Sequence, residues 1–248
     1  DVTGVQTCAL PIYQTKRRHQ GIARANLVVK PDLAGADAYG TVAIRRRSLC
    51  DGGIDSPVRM TKQKTSDERP LAAVILAAGR STRMQSDLPK VLHKVAGRTI
   101  LGHLVDNLAR LKPARTYVVI SPDGEAVAHA APGATPIVQT EARGTGDAVA
   151  RARDALADFD GDVLVLYGDS PFLKSETMQA MLTELRSPAR PAVVVLGFEA
   201  PLPHEYGRLV LDAKGRLTRI VSARDANEEE KRITLCNSGM MAGDRATL

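Results

Sequence analysis

Ala72-Ala-Val-Ile-Leu-Ala-Ala-Gly79-Arg-Ser-Thr-Arg83-Met84 decides the fold. The seven apolar residues from Ala72 to Ala78 show no alternation, as expected of a strand buried on both faces of a parallel sheet. The strand runs straight into a loop of small residues. Small residues let backbone N–H groups approach phosphate oxygens and form a concave anion nest. Arg83 adds a fork of donors suited to phosphate, and Pro89-Lys90 downstream adds a compact positive charge. Leu76, Ala77, Ala78 and Gly79 are therefore expected to cradle phosphate, with Arg83 and Lys90 as its cations. A strand-to-helix turn with two surface cations is the plainer alternative, and the conjunction of strand, small loop, Arg and Pro-Lys speaks against it. Neither Gly-Lys-Ser/Thr nor Gly-x-Gly-x-x-Gly follows the strand, so a Walker loop and the dinucleotide fingerprint are excluded.

Working outward, strand and helix patterns alternate. Ile100, Leu101, Leu104, Val105, Leu108 and Leu111 follow helical spacing, and Thr116–Ile120 reads as a strand stopped by Ser-Pro-Asp-Gly. A short strand over Ile137–Gln139 precedes a helix over Gly146–Leu156, a strand over Asp162–Tyr167 and a helix over Ser175–Arg186. Ala192–Phe198 is another strand, and Arg208–Leu211 with Arg216–Val221 flank a hairpin turn at Asp212–Gly215. Repeated βα units imply an α/β fold, Rossmann-like, with a mainly parallel sheet and helices on both faces. Ligands on such sheets bind at the carboxyl ends of strands, near a switch in strand order.

Residues 1–70 have a different texture, with no sustained period of two or 3.6. They hold 12 Lys+Arg against 7 Asp+Glu, so most of the net charge of +6 lies there and the remainder is nearly neutral. This segment is expected to be a disordered or non-native extension, ahead of one domain over 71–248. Its opening resembles translated sequencing-adaptor sequence, which makes Met60 the expected natural start; an Arg-rich transit peptide is the rival. Nucleic-acid binding is disfavoured, since the charge lies outside the folded part and aromatics make up only 3% of the 248 residues. Cys8, Cys50 and Cys236 are far apart and form no zinc or disulfide pattern, which fits a reducing cytoplasm. No apolar run approaches the length of a membrane span.

Two further constellations carry chemistry. Tyr167-Gly168-Asp169 puts a carboxylate at the end of a buried strand, which is costly without a cation. Magnesium suits it, because that ion takes one or two carboxylates plus substrate phosphates; a turn or cap Asp is the alternative. Gln139 offers a donor and an acceptor on one planar amide, able to read a base edge. Gly144 permits close backbone approach, and Thr145 is either a ribose donor or an ordinary helix cap.

Leu76–Met84, Ser86–His93 and Val95–Gly97, followed in order by Gln139–Gly146, Leu166–Asp169, Tyr206–Arg208 and Cys236–Gly239, resemble the N-acetylglucosamine-1-phosphate uridylyltransferases, which form the N-terminal half of a bifunctional protein. The resemblance covers the chain from about Leu71 onward. It implies a nucleotidyltransferase fold and transfer from UTP to N-acetylglucosamine 1-phosphate for peptidoglycan and lipopolysaccharide precursors. It also implies Mg²⁺ on Asp169, a uridine pocket of Gln139, Gly144 and Thr145, and sugar contacts from Tyr167, Gly168, Asp169, Gly207 and Asn237. Family members carry a Glu where this chain has Ser222, and a hydroxyl is the weaker partner for a sugar. The family's second magnesium ligand, an Asn, and its hexapeptide-repeat acetyltransferase domain lie beyond Leu248, so a fragment is expected. The family forms trimers through that domain, so a monomer is expected here. Another sugar phosphate as substrate, and a catalytically weak nucleotide-binding fragment, remain the alternatives.

Overall fold

The computed structural model describes residues 26–29, 39–45, 69–79, 84, 86–202, 204–213, 215 and 217–248, the first two segments by their backbone alone. The strands are β1 (Asn26–Val29), β2 (Tyr39–Arg45), β3 (Leu71–Leu76), β4 (Lys94–Val95), β5 (Arg98–Thr99), β6 (Arg115–Ile120), β7 (Thr135–Val138), β8 (Asp162–Tyr167), β9 (Pro191–Glu199), β10 (Arg208–Leu211), β11 (Leu217–Val221) and β12 (Leu235–Asp244). The helices are α1 (Ile100–Ala109), α2 (Glu125–His129), α3 (Thr145–Arg151) and α4 (Ser175–Leu185). The main sheet runs β1-β2-β9-β12-β8-β3-β6-β7, with β10 joined to β12 and β11 to β10.

The four strands β8, β3, β6 and β7 are parallel, and every described pairing on the far side of β8 is antiparallel. Strand period two sorts the side chains of the parallel half onto two faces. Ala73, Ile75, Val118, Ile120, Leu164 and Leu166 pack under α1, α2 and α4. Ala72, Val74, Tyr117, Val119, Val163 and Val165 pack under α3 and the turns after it. Helices therefore cover both faces, which is why β3 is apolar at every position. From β3 the chain moves outward to β6 and β7, then returns to place β8 on β3's other side. The order reverses between β3 and β8, and the crevice at their carboxyl ends is the switch point where ligands bind on such sheets.

The expected helices over 100–111 and 175–186 are present, with Leu101, Leu104, Val105 and Leu108 buried on α1 and Met178, Met181, Leu182 and Leu185 on α4. Thr99 caps α1 by accepting from the Gly102 N–H at 3.0 Å. The helix expected over 146–156 stops at Arg151, and the turns beyond it still bury Ala152 and Leu156 on the same core face. Two further differences stand out. β12 follows no strand pattern in sequence, because Asn237, Ser238 and Gly239 have low strand preference; it is nonetheless central, between β8 and β9. And within 1–70, Tyr39–Arg45 pairs with β9 along its length while Asn26–Val29 pairs with it in turn. The β-branched Thr41, Val42 and Ile44 favour such pairing, and β9 has an edge to offer. The expectation of disorder for 1–25, 30–38 and 46–68 lies outside the described residues.

Candidate nucleotidyl-transfer site

The switch-point crevice is built by continuing the parallel ladder one residue past each strand. Ala77 donates its N–H to Val119 O at 2.8 Å, Gly168 to Leu76 O at 2.9 Å, and Gln139 to Ile120 O at 2.8 Å. These bonds align the ends of β3, β8 and β7, so the loops that carry Gly79, Asp169 and Gly144 leave from one edge. Exposure rises along the first loop, with Ala77 buried, Ala78 half-buried and Gly79 exposed. A Cβ built at Gly79 would meet nothing within 4 Å. The fold itself does not demand glycine there, which leaves room for a ligand's backbone contact as the reason. Gly168 is different: its Cβ would sit 3.2 Å from both the Ala77 side chain and Leu76 O. That glycine lets β8 and β3 close up beneath the crevice.

Lys90 opens a short 3-10 turn, Lys90–Leu92, whose Val91 and Leu92 are buried in the core. The anchored turn brings Lys90 to Asp169, Nζ donating to Oδ2 at 2.9 Å, with each side chain 22% exposed. Asp169 Oδ1 is buried and has no hydrogen-bond partner among the described residues. A buried carboxylate oxygen without a donor is costly, and a hard divalent cation is what such an oxygen suits. Among the described residues no three acidic, His or Cys side chains cluster to enclose a metal. The donor set is thus a single carboxylate, the kind of site magnesium completes with substrate phosphates and water. Arg83, the other expected cation, lies outside the described residues.

Gln139 is buried and turned inward. Its Nε2 donates to Gly144 O at 3.0 Å and to Asp147 Oδ2 at 2.9 Å. Both partners are acceptors, so the amide nitrogen must face them, and only the amide oxygen is left to read a base. The Gln139 donor, then Arg151, hold the Asp147 carboxyl below its ordinary range. Gly144 is the N-cap of α3 at φ 102° and ψ 178°, a conformation that favours glycine. Thr145 is the first helical residue rather than the cap.

The expected sugar residues gather on the antiparallel side. Arg208 pairs with Val221 on β11 and with Cys236 on β12. Gly207, Ser222 and Asn237, one step beyond each, therefore come together at one end of the three strands. The Asn237 N–H donates to Gly207 O at 2.8 Å. The Asn237 side chain is partly spent, since Oδ1 accepts from the Gly239 N–H at 2.9 Å in a local turn. The Ser222 hydroxyl donates to Asp225 Oδ2 at 2.8 Å, closing the turn after β11. Gly239, which sequence reasoning quoted in a motif but gave no role, joins the two halves. It has φ +81°, and a Cβ there would stand 2.5 Å from the Tyr167 ring. Tyr167 can lie across β12 only because residue 239 has no side chain. The Asn-Ser-Gly ending of that motif was the available signal.

Residues 73–233 match the model of the MobA-like NTP transferase domain. The chain belongs to the MobA-like NTP transferase family. Among curated members, it is 50% identical over 174 residues to the bifunctional protein GlmU of Paramagnetospirillum magneticum, covering 70% of this chain and 38% of that one. It is likewise 50% identical over 177 residues to the bifunctional protein GlmU of Rhodospirillum rubrum, covering 71% and 40%. The chain thus spans about two-fifths of the length of these relatives. A CMP:2-keto-3-deoxy-manno-octonic acid synthetase complexed with CTP shares the fold at a TM-score of 0.54 and 18% identity, over 72% of this chain and 75% of that one. No helix among the described residues is long and apolar enough to cross a membrane. Cys236 is buried, and burial pushes its thiol up to about 11, so it is no nucleophile.

Proposed function

We propose that this NTP transferase domain joins UTP to N-acetylglucosamine 1-phosphate, giving UDP-N-acetylglucosamine and pyrophosphate. The observation that carries the reading is Asp169: a carboxylate at the switch point, one oxygen on Lys90 and the other buried without a donor among the described residues. The order of motifs along the chain and the likeness to GlmU proteins support the choice of substrates.

Two anions must meet, so charge repulsion dominates the barrier. The nucleophile needs little help, because a phosphate monoester has a second pKa of about 6 and is largely dianionic at pH 7. Its oxygen forms the new bond to the α-phosphorus of UTP as the bond to the β-phosphate oxygen breaks, and pyrophosphate carries away the electron pair. Catalysis is then positioning and neutralisation. The backbone from Leu76 to Gly79 cradles the phosphates, Lys90 neutralises the α-phosphate oxygens, and Arg83 holds the leaving pyrophosphate. The Gln139 amide oxygen, Gly144 and Thr145 hold the uridine, while Tyr167, Gly168, Gly207, Ser222 and Asn237 hold the amino sugar. Asp169 would hold Mg²⁺, which when bound offsets charge on the reacting phosphates. The cytoplasm, with its nucleoside triphosphates, is the compartment that fits.

Pyrophosphate release from the full chain, with Mg²⁺, N-acetylglucosamine 1-phosphate and each of UTP, CTP, GTP and ATP, tests this. Release with UTP well above the others is expected. Equal release with all four, or none with UTP, overturns the assignment.

A further inference from the structure

Arg208 is 3% exposed, and the described partners of its guanidinium are backbone carbonyls. Its Nη1 donates to Tyr206 O at 2.6 Å and its Nη2 to His204 O at 3.0 Å, while Nε is buried without a partner among the described residues. Burying a guanidinium against neutral carbonyls is expensive, and the chain has placed it where its fork grips the loop immediately before β10. That loop ends in Gly207. Its other described contacts reach along the chain: the Tyr206 ring meets Phe198 of β9 edge-on at 4.9 Å, and the His204 Nε2 lies 3.0 Å from Ile233 O and 3.5 Å from Cys236 Sγ. On the far side, Gly207 O accepts from Asn237. Gly207 is therefore held between Asn237 on β12 and a loop whose two preceding carbonyls are fixed by one arginine.

We infer that Arg208 is a positioning residue for sugar-phosphate recognition: its planar fork sets the path of residues 204–207, and through Gly207 the sugar end of the site, without touching substrate. The inference rests on the reading that Gly207 and Asn237 hold the sugar. A fork matters here more than a charge. An ammonium in the same place cannot span two carbonyls with the same rigid geometry, so Arg208→Lys should behave like the neutral Arg208→Gln.

Steady-state pyrophosphate release tests this with each substrate varied in turn. Losing charge-assisted bonds to the loop should raise the KM for N-acetylglucosamine 1-phosphate about tenfold or more in both variants. The KM for UTP should stay within about twofold, because β3, β7 and β8 carry that end of the site. Hydrogen exchange on intact variants should show faster exchange at residues 204–207. A wild-type sugar-phosphate KM in Arg208→Lys overturns the inference, as does an equal rise in both KM values. Loss of cooperative unfolding in both variants overturns it too, since the fork would then hold the domain and not the loop. Wild-type protein that turns over UTP with no response to the sugar phosphate refutes the parent reading instead, so the two failures are distinguishable.

Discussion

Strand β8 begins with one aspartate, Asp162, and leads two residues past its end to another, Asp169, and the two are built oppositely. Asp162, at the amino end, is 2% exposed; Oδ2 accepts from Arg186 Nε at 2.7 Å, and Arg69 Nε stands 3.5 Å from Oδ1. Asp169, past the carboxyl end, has Lys90 on one oxygen and no described donor on the other. A carboxylate that serves the fold is closed on every side by protein. The one proposed to serve chemistry is left short of described donors where a ligand could supply them. A finished ion pair thus opens the strand, and an unfinished one lies just past its other end.

Removing each carboxylate should sharpen the contrast. Asp169→Asn should lower pyrophosphate release by about a thousandfold or more, with the thermal midpoint nearly unchanged, because the metal-facing charge is lost while the core is untouched. Asp162→Asn should do the reverse. It leaves the half-buried Arg186 beside an uncharged group and should cost about 3 kcal/mol of stability by denaturant titration, with turnover kept within a few-fold.

How far was this contrast readable in the sequence? The unbroken apolar run from Ala72 announces a parallel strand, its small-residue loop leads into the switch-point crevice, and the Tyr167-Gly168-Asp169 ending places a carboxylate beside it. Those features are local, so period and composition carry them. The partnership of Lys90 with Asp169 spans 79 positions and depends on strand order. The antiparallel half was less legible still. β12 owes its place to pairing with β8 and β9 rather than to its own residues, and no local signal foretold that Gly144 and Asp147 take the Gln139 donors and leave its amide oxygen as the group proposed to meet the base.

Gly239 tests the seam between the halves. Gly239→Ala would force a Cβ against Tyr167 in a backbone conformation that disfavours it, and should cost about 2 kcal/mol while raising the sugar-phosphate KM. An Ala variant as stable as the parent would mean that Tyr167 moves freely at that seam. The smallest effect concerns acid. Arg115, donating to both oxygens of Asp158 at 2.7 and 2.9 Å, holds that carboxyl at about 2 against an ordinary 3.8. Its stabilisation is complete above the ordinary value and is lost as pH falls toward about 2. Asp158→Asn should therefore flatten the acid limb of stability slightly and leave turnover unchanged; the pair is exposed, so the change is small.

Protein-bound Mn²⁺ in the presence of UTP, read from the enhancement of water proton relaxation, tests the central claim most directly. The wild type and Asp162→Asn should both show the enhancement, and Asp169→Asn should lose it. An enhancement that survives in Asp169→Asn would contradict the assignment of the unfinished carboxylate to the metal and its nucleotide.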